Sequence, residues 1–191
     1  MPKNPLRVAT VQLESIQGDK AANFGKIERF VADAAARGAR LVVFPECCIT
    51  GYWFVRNLTV PQLAALAEPI PDGPSTRRLA RLAQEHNITI GAGLFETARD
   101  STPTAPAFHN SYVVALPDGT LHCHRKLHAF EHDAVKSGSE YTVFDLPGGF
   151  RAAILICYDN NIVEHVRLVA LRGADVLIAP HQTGAVRSKN P

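Results

Sequence analysis

Three polar residues in this chain each stand at the end of a predicted strand: Glu46 follows Leu41-Val42-Val43-Phe44-Pro45, Lys126 follows Leu121-His122-Cys123-His124-Arg125, and Cys157 follows Ala152-Ala153-Ile154-Leu155-Ile156. A thiol, a carboxylate and an ammonium make a nucleophilic set, with one group to attack, one to move a proton and one to stabilise a developing negative charge. Taken singly, each has a plainer reading. A cysteine inside an apolar strand is most often a small buried hydrophobe, Glu46 suits a solvated strand end or a helix cap, and Lys126 suits a surface charge at the end of a hairpin strand. It is the set that points to chemistry, because in α/β sheets the carboxyl ends of neighbouring strands gather around one pocket. The chain has no G-x-S-x-G elbow, P-loop, strand-borne G-x-G-x-x-G or H-E-x-x-H, which removes the commonest serine-hydrolase, nucleotide and zincin readings.

The elements that must position these residues follow from periodicity. Leu6 to Leu13 alternates and predicts a strand, and Phe24, Ile27, Val31 and Ala34 give one helical face ending at Gly38. Leu41 to Phe44 predicts a buried strand, followed by the aromatic loop Gly51-Tyr52-Trp53-Phe54 and a Pro-rich link. Leu79, Leu82, Ala83 and His86 mark a second helix, with Ser75 placed to cap it. Ile88 to Phe95, Ser111 to Leu116, Leu121 to Lys126, Tyr141 to Leu146 and Phe150 to Tyr158 predict strands, with turns at Pro117-Asp118-Gly119 and Pro147-Gly148-Gly149. A helix from about Asn160 to Gly173 and a strand Val176 to Ala179 close the pattern. With Cys157 just before that helix, its N-terminal partial charge is expected to favour the thiolate, and a nearby Lys126 to add to the effect.

The stretch Arg37-Gly38-Ala39-Arg40-Leu41-Val42-Val43-Phe44-Pro45-Glu46 is similar to Arg172-Gly173-Ala174-Asp175-Val176-Leu177-Ile178-Ala179-Pro180-His181. Each follows a strand and an amphipathic helix, so two related βαβ units are expected in a pseudo-symmetric α/β architecture. The 191 residues, 46% hydrophobic, carry 20 Lys+Arg against 18 Asp+Glu, a balance that exerts no strong pull on nucleic acid or an anionic membrane. One domain spanning residues 1–191 is expected, with a small molecule or a protein as its partner. The N-terminus has no signal-peptide pattern and the cysteines no disulfide spacing, which predicts a cytoplasmic protein with reduced thiols.

The three motifs together resemble the nitrilase, or carbon-nitrogen hydrolase, superfamily. Leu41 to Glu46 matches its glutamate motif, His124-Arg125-Lys126-Leu127-His128 its lysine motif, and Ile154-Leu155-Ile156-Cys157-Tyr158-Asp159 its cysteine motif, in the family's order; Gln12 and Asn23 extend the likeness. The resemblance implies a four-layer αββα sandwich and a Glu46–Lys126–Cys157 triad acting on amide, carbamoyl or nitrile carbon without metal or organic cofactor. It also implies a second glutamate after the lysine, for which Glu131 is the candidate and Glu140 the alternative. A pocket wall is expected from Tyr52, Trp53 and Phe54 with Tyr158, Asn160, His181 and Gln182. The sequence after Cys157 looks more like amidase-type branches than true nitrilases, so an amide-type small-molecule substrate is expected. Members are usually longer and often oligomeric, so the resemblance further implies a second half cut short at its C-terminal end, an exposed edge at Val176 to Ala179, and a homo-oligomer of the full-length form. Two other readings stand beside the hydrolase. One is a catalytically silent fragment of such an enzyme; the other is a metal protein built on His122, Cys123, His124, His128 and His132, which strand alternation disfavours because Cys123 points away from its neighbours.

Overall fold

A computed structural model describes residues 5–182. Its first helix, α1 (Lys20–Ala36), starts where Asp19 Oδ1 accepts the N–H of Ala22 at 2.9 Å and buries the stripe Asn23, Phe24, Ile27, Val31 and Ala34. It stops where Gly38 adopts φ +75° and donates to Ala35 O, with Ala39 donating to Ala34 O. That turn reverses the chain into β2 (Leu41–Val43), parallel to β1 (Val8–Thr10). Next in the same sheet come β3 (Thr89–Thr97), parallel to β2, then antiparallel β4 (Phe108–Ala115) and β5 (Leu121–Arg125), in the order β1-β2-β3-β4-β5. The second sheet holds β6 (Val143–Leu146), β7 (Phe150–Ile154) and β8 (Val176–Ile178) in that order, with β7 and β8 parallel.

The layers follow from which faces are apolar. α1 and α3 (Pro74–His86) cover one face of the five-stranded sheet, packing Phe24, Ile27, Val31, Leu79 and Ala83 on Val42, Ile90, Ala92, Leu94 and Val113. The alternate residues Leu41, Tyr112 and Val114 face Phe144, Ala152, Ile154 and Ile178 across the gap between the sheets. α4 (Val163–Leu171) covers the far side of the small sheet through Val169 and Val166 against Ala153 and Leu155. The result is the expected helix–sheet–sheet–helix sandwich. The two similar stretches also turn alike: Gly173 takes φ +87° and donates to Ala170 O while Ala174 donates to Val169 O, as Gly38 and Ala39 do at the end of α1.

Four local expectations are corrected. Ser75 does not cap α3, whose N-cap is Gly73. Instead the Glu68 carboxylate accepts the Ser75 N–H at 2.8 Å and its hydroxyl at 3.0 Å, so the cap arrives from the preceding link. That link also contains a short helix, α2 (Val60–Leu66), too brief to display a full apolar period; Gln62 Oε1 accepts the Thr59 N–H at its start. The β7 strand ends at Ile154, before the expected Tyr158, and a 3-10 turn at Cys157–Asn161 precedes α4, which begins at Val163. Among the described residues β8 pairs only with β7 and leaves Leu177 37% exposed, the open edge the sequence predicts. A cleft of about 390 Å³ runs between β1, β2 and β8.

Candidate active site

Beyond β2 the chain crosses β3 so closely that a Cβ on Gly93 would lie 2.3 Å from the backbone nitrogen of Cys47. Ile49 donates to Gly93 O at 3.1 Å, and Cys47 takes φ +48°, a region a non-glycine residue seldom adopts. This tight crossing carries Glu46 into the interior, where it is 1% exposed. At the end of β5, alternation turns Arg125 to the outer face, where it pairs with Glu96, and Lys126 to the inner one. Lys126 is wholly buried, and a buried ammonium must be paired. Its Nζ donates to Glu46 Oε1 at 2.8 Å, to Glu131 Oε1 at 2.5 Å and to Tyr52 Oη at 3.4 Å.

Cys157 begins the 3-10 turn after β7 with φ +49°, a second left-handed residue at the site. Its conformation is held by Cys157 N donating to Pro180 O at 2.9 Å and by Asn160 Nδ2 donating to Leu155 O and Cys157 O. The buried Asp159 carboxylate accepts three backbone N–H groups, from Ile156 at 3.1 Å, Leu127 at 3.1 Å and His128 at 2.9 Å, with His124 Nε2 at 3.7 Å. One side chain thereby ties the turn of Cys157 to the turn that follows Lys126. After β8 the chain returns to the site, and the Gln182 N–H donates to Glu46 Oε2 at 3.2 Å.

Burial raises the Glu46 carboxyl above its ordinary range, opposed by Lys126 and by the Asn110 amide. Burial alone would depress Lys126, but the charges of Glu46 and Glu131 outweigh it and hold the ammonium above its usual value. The expectation of a favoured thiolate is reversed: burial first, then the charge of Glu46, pushes the Cys157 thiol up to about 11, with Lys126 only partly offsetting them. Cys157 lies within the first turn instead of ahead of a helix, and a single 3-10 turn supplies little dipole. In the free site the proton therefore rests on sulfur beside a carboxylate able to take it.

The structure brings Glu46, Lys126, Cys157, Glu131 and Tyr52 together. Tyr52 donates to Glu131 Oε1 at 3.2 Å. Glu140, the alternative to Glu131, instead lines a cleft of about 450 Å³ with Arg99 and Arg125, away from Lys126 Nζ. Phe130 and Tyr158, both exposed, meet edge to face at 5.9 Å, and Lys126 Nζ lies 4.5 Å from the centre of the Phe130 ring. Trp53 is partly exposed beneath the Arg56 guanidinium, Phe54 packs near Gly51, and Asn160 spends its amide on its own turn. His181 is exposed, and partial burial followed by the charge of Lys126 lowers its affinity for a proton. His122 stacks on Phe144 while His124 turns to Asp159, and among the described residues no group of three or more His, Cys, Asp or Glu is arranged for a metal.

Two residues at the site were not singled out from sequence. Asn110 Nδ2 donates to Glu46 Oε1 at 2.7 Å and to Glu131 Oε1 at 2.9 Å. Its signal was an amide on the core face of an alternating strand, in line with Phe108, Tyr112 and Val114. Asp159 was quoted within the cysteine motif but given no role, because its partners lie three residues away on one side and some thirty on the other.

Four layers enclosing a buried Glu–Lys pair beside a cysteine at a strained turn define an α/β sandwich of the nitrilase type. The chain belongs to the carbon-nitrogen hydrolase family, whose model matches residues 7–190. It is 34% identical over 180 residues to a nitrilase of Pyrococcus abyssi, covering 92% of this chain and 64% of that protein. It is 31% identical over 188 residues to the omega-amidase NIT2 of Homo sapiens, covering 91% and 62% respectively. Nit3 of Saccharomyces cerevisiae, described as a member of branch 10 of the nitrilase superfamily, superposes with a TM-score of 0.79 at 28% identity, over 95% of this chain and 66% of that structure. The chain thus spans somewhat less than two thirds of the length of these curated relatives. Among the described residues no helix is long and apolar enough to cross a membrane.

Proposed function

We propose that the protein hydrolyses the carbon-nitrogen bond of a small amide through a thioester on Cys157. The observation that carries this reading is the placement of Lys126 Nζ between Glu46 Oε1 and Glu131 Oε1, at 2.8 and 2.5 Å, in a buried site beside the Cys157 thiol. Glu46 takes the thiol proton as sulfur attacks the carbonyl carbon. Lys126 and the Tyr158 N–H receive the negative charge forming on the oxygen. The carbon–nitrogen bond then breaks, Glu46 returns the proton to the departing nitrogen, and ammonia leaves. Water, deprotonated by Glu46, opens the thioester to a carboxylic acid, and the proton goes back to sulfur. One amide and one water give one acid and one ammonia.

Two features support this division of labour. Lys126 has three N–H bonds, and the two carboxylates take two of them at short range, leaving the third, now in a long contact with Tyr52 Oη, for a substrate oxygen. Burial places Glu46 where a general base is needed, with a proton affinity above that of a free carboxylate. An amide is favoured over a nitrile because Cys157 is followed by Tyr158-Asp159, the amidase-like pattern. The test is ammonia release from a panel of amides, carbamoyl compounds and nitriles by the wild type and by Cys157→Ala. Release by the wild type alone is expected, strongest with amides; equal release by both proteins would remove Cys157 from the mechanism.

A further inference from the structure

The two carboxylates beside Lys126 are not equivalent. Glu131 Oε1 accepts from Lys126, Asn110 and Tyr52, and its Oε2 accepts the Phe130 N–H at 2.9 Å, so that carboxylate takes four donors, three of them on one oxygen. Glu46 Oε1 is likewise filled, by Lys126 at 2.8 Å and Asn110 at 2.7 Å. Within Glu46, Oε2 is the oxygen that keeps a lone pair in hand, its one hydrogen-bond partner being the Gln182 N–H at 3.2 Å. The Cys157 thiol lies close enough to this same carboxylate that the Glu46 charge raises it.

Asn110 is the hub of this asymmetry. It has one NH₂ group for two carboxylates, and that group faces them only because the other end of the amide is committed: Oδ1 receives the Cys47 thiol at 3.3 Å. A flipped amide would set its oxygen against two anions and lose the thiol donor. The backbone of Asn110 adds to the fixation, since its carbonyl accepts the Lys126 N–H at 2.8 Å. Asn110 and Cys47 are both completely buried.

We propose that Asn110 is a positioning residue whose amide, oriented by Cys47, occupies Oε1 of Glu46 and of Glu131 and so reserves Glu46 Oε2 as the oxygen that takes the Cys157 proton. This rests on the reading of Glu46 and Cys157 given above. The ionisable groups facing Glu46 are Lys126, Glu131, Cys47, Tyr52 and Cys157. Of the neighbours that bear on it, Lys126 and Asn110 favour its ionised form, against burial and the charge of Glu131. Removing Asn110 therefore leaves Glu46 a stronger base in the resting site, with its two oxygens no longer distinguished.

The experiment is the pH dependence of Cys157 alkylation by iodoacetamide, followed by mass spectrometry of the Cys157 peptide, which requires no substrate. The thiolate displaces iodide, so the rate follows the thiolate fraction. A coupled thiol and carboxyl lose their protons in two steps, the lower one governed by Glu46. Asn110→Ala should move the lower step upward by roughly one pH unit, and the isosteric Asn110→Asp, which adds an anion, further still. Because the anion added by Asn110→Asp acts whatever the role of Asn110, the Ala variant decides: a residue that only fills space would leave its lower step in place. Cys47→Ala should move the step in the same direction by less, and it carries the test if both Asn110 variants fail to fold. An unmoved lower step in folded variants overturns the proposal. A profile that Glu46→Gln leaves unchanged would instead overturn the Glu46–Cys157 reading beneath it.

Discussion

Asp159 Oδ1 accepts the backbone N–H of His128 at 2.9 Å, joining the turn that carries the candidate nucleophile to the turn after the candidate oxyanion-stabilising lysine. Each of those residues comes from a different sheet: Lys126 follows the last strand of the larger one, and Cys157 follows the middle strand of the smaller one. Their relative placement therefore depends on this contact and its companions more than on any single strand ladder.

Replacing Asp159 by Ala leaves two buried N–H groups and one partly buried one without an acceptor and should cost about 3 kcal/mol, measured by urea unfolding at neutral pH. Burial works against the Asp159 charge, but His124 and the three backbone N–H groups outweigh it and hold the carboxyl below its usual range. The depressed value means that the stabilisation is complete above roughly pH 4, the unfolded value of an aspartate, and disappears as pH falls through the lower folded value. The difference between wild type and variant should thus be full at pH 6 and shrink as the pH falls below about 4.

Lys126→Met keeps the volume of the side chain but leaves Glu46 and Glu131 buried without a cation. A loss of about 3 kcal/mol or more is expected, with Glu46 driven to take up a proton. Hydrolysis should fall by at least about a hundredfold, as for the loss of an oxyanion donor. Stability that recovers as the pH is lowered towards 5 would identify the unpaired carboxylates as the cause.

Glu46→Gln should abolish the lower step of Cys157 reactivity and leave one step that lies below the upper step of the wild type. The thiol stands at about 11 because of burial and then the charge of Glu46. Removing that charge leaves burial opposed by Lys126, so alkylation should rise in a single step below pH 11. Hydrolysis should be lost even though the thiolate is more plentiful, because no group remains to carry the proton to the leaving nitrogen. A step that moves upward would contradict the sign of this interaction.

Periodicity and strand ends made much of this architecture legible. The alternation of β5 sends Lys126 inward, and the stop at Gly38 returns the chain into the strand before Glu46. What escaped was set by partners distant in sequence. The cap of α3 comes from Glu68, in a segment with no periodic signal, and the role of Asn110 exists only once Glu46, Glu131 and Cys47 surround it. The direction of the Cys157 shift reversed for a related reason: desolvation depends on what covers a thiol, whereas the position of a helix can be read along the chain.

Gly93→Ala should be among the most damaging small substitutions. The added methyl would meet Cys47 N at 2.3 Å and the Glu46 carbonyl carbon at 3.1 Å, backbone atoms that yield only if the turn lifts from β3. A cost of about 1–3 kcal/mol is expected from overpacking. Hydrolysis should fall more steeply than stability, as seen by comparing activity with the melting temperature.

The same crossing bears on redesign. Under the proposed hydrolysis, altering the acceptance of bulkier amides calls for changes at the exposed aromatic pair Phe130 and Tyr158, where side chains can be exchanged at little cost to the interior. Gly93 offers no such latitude, since the distance it fixes is between two main chains and no choice of side chain restores it. A mutagenesis library that randomised both regions equally would use its diversity unevenly: the exposed aromatic pair would return many folded variants, and position 93 would return only glycine.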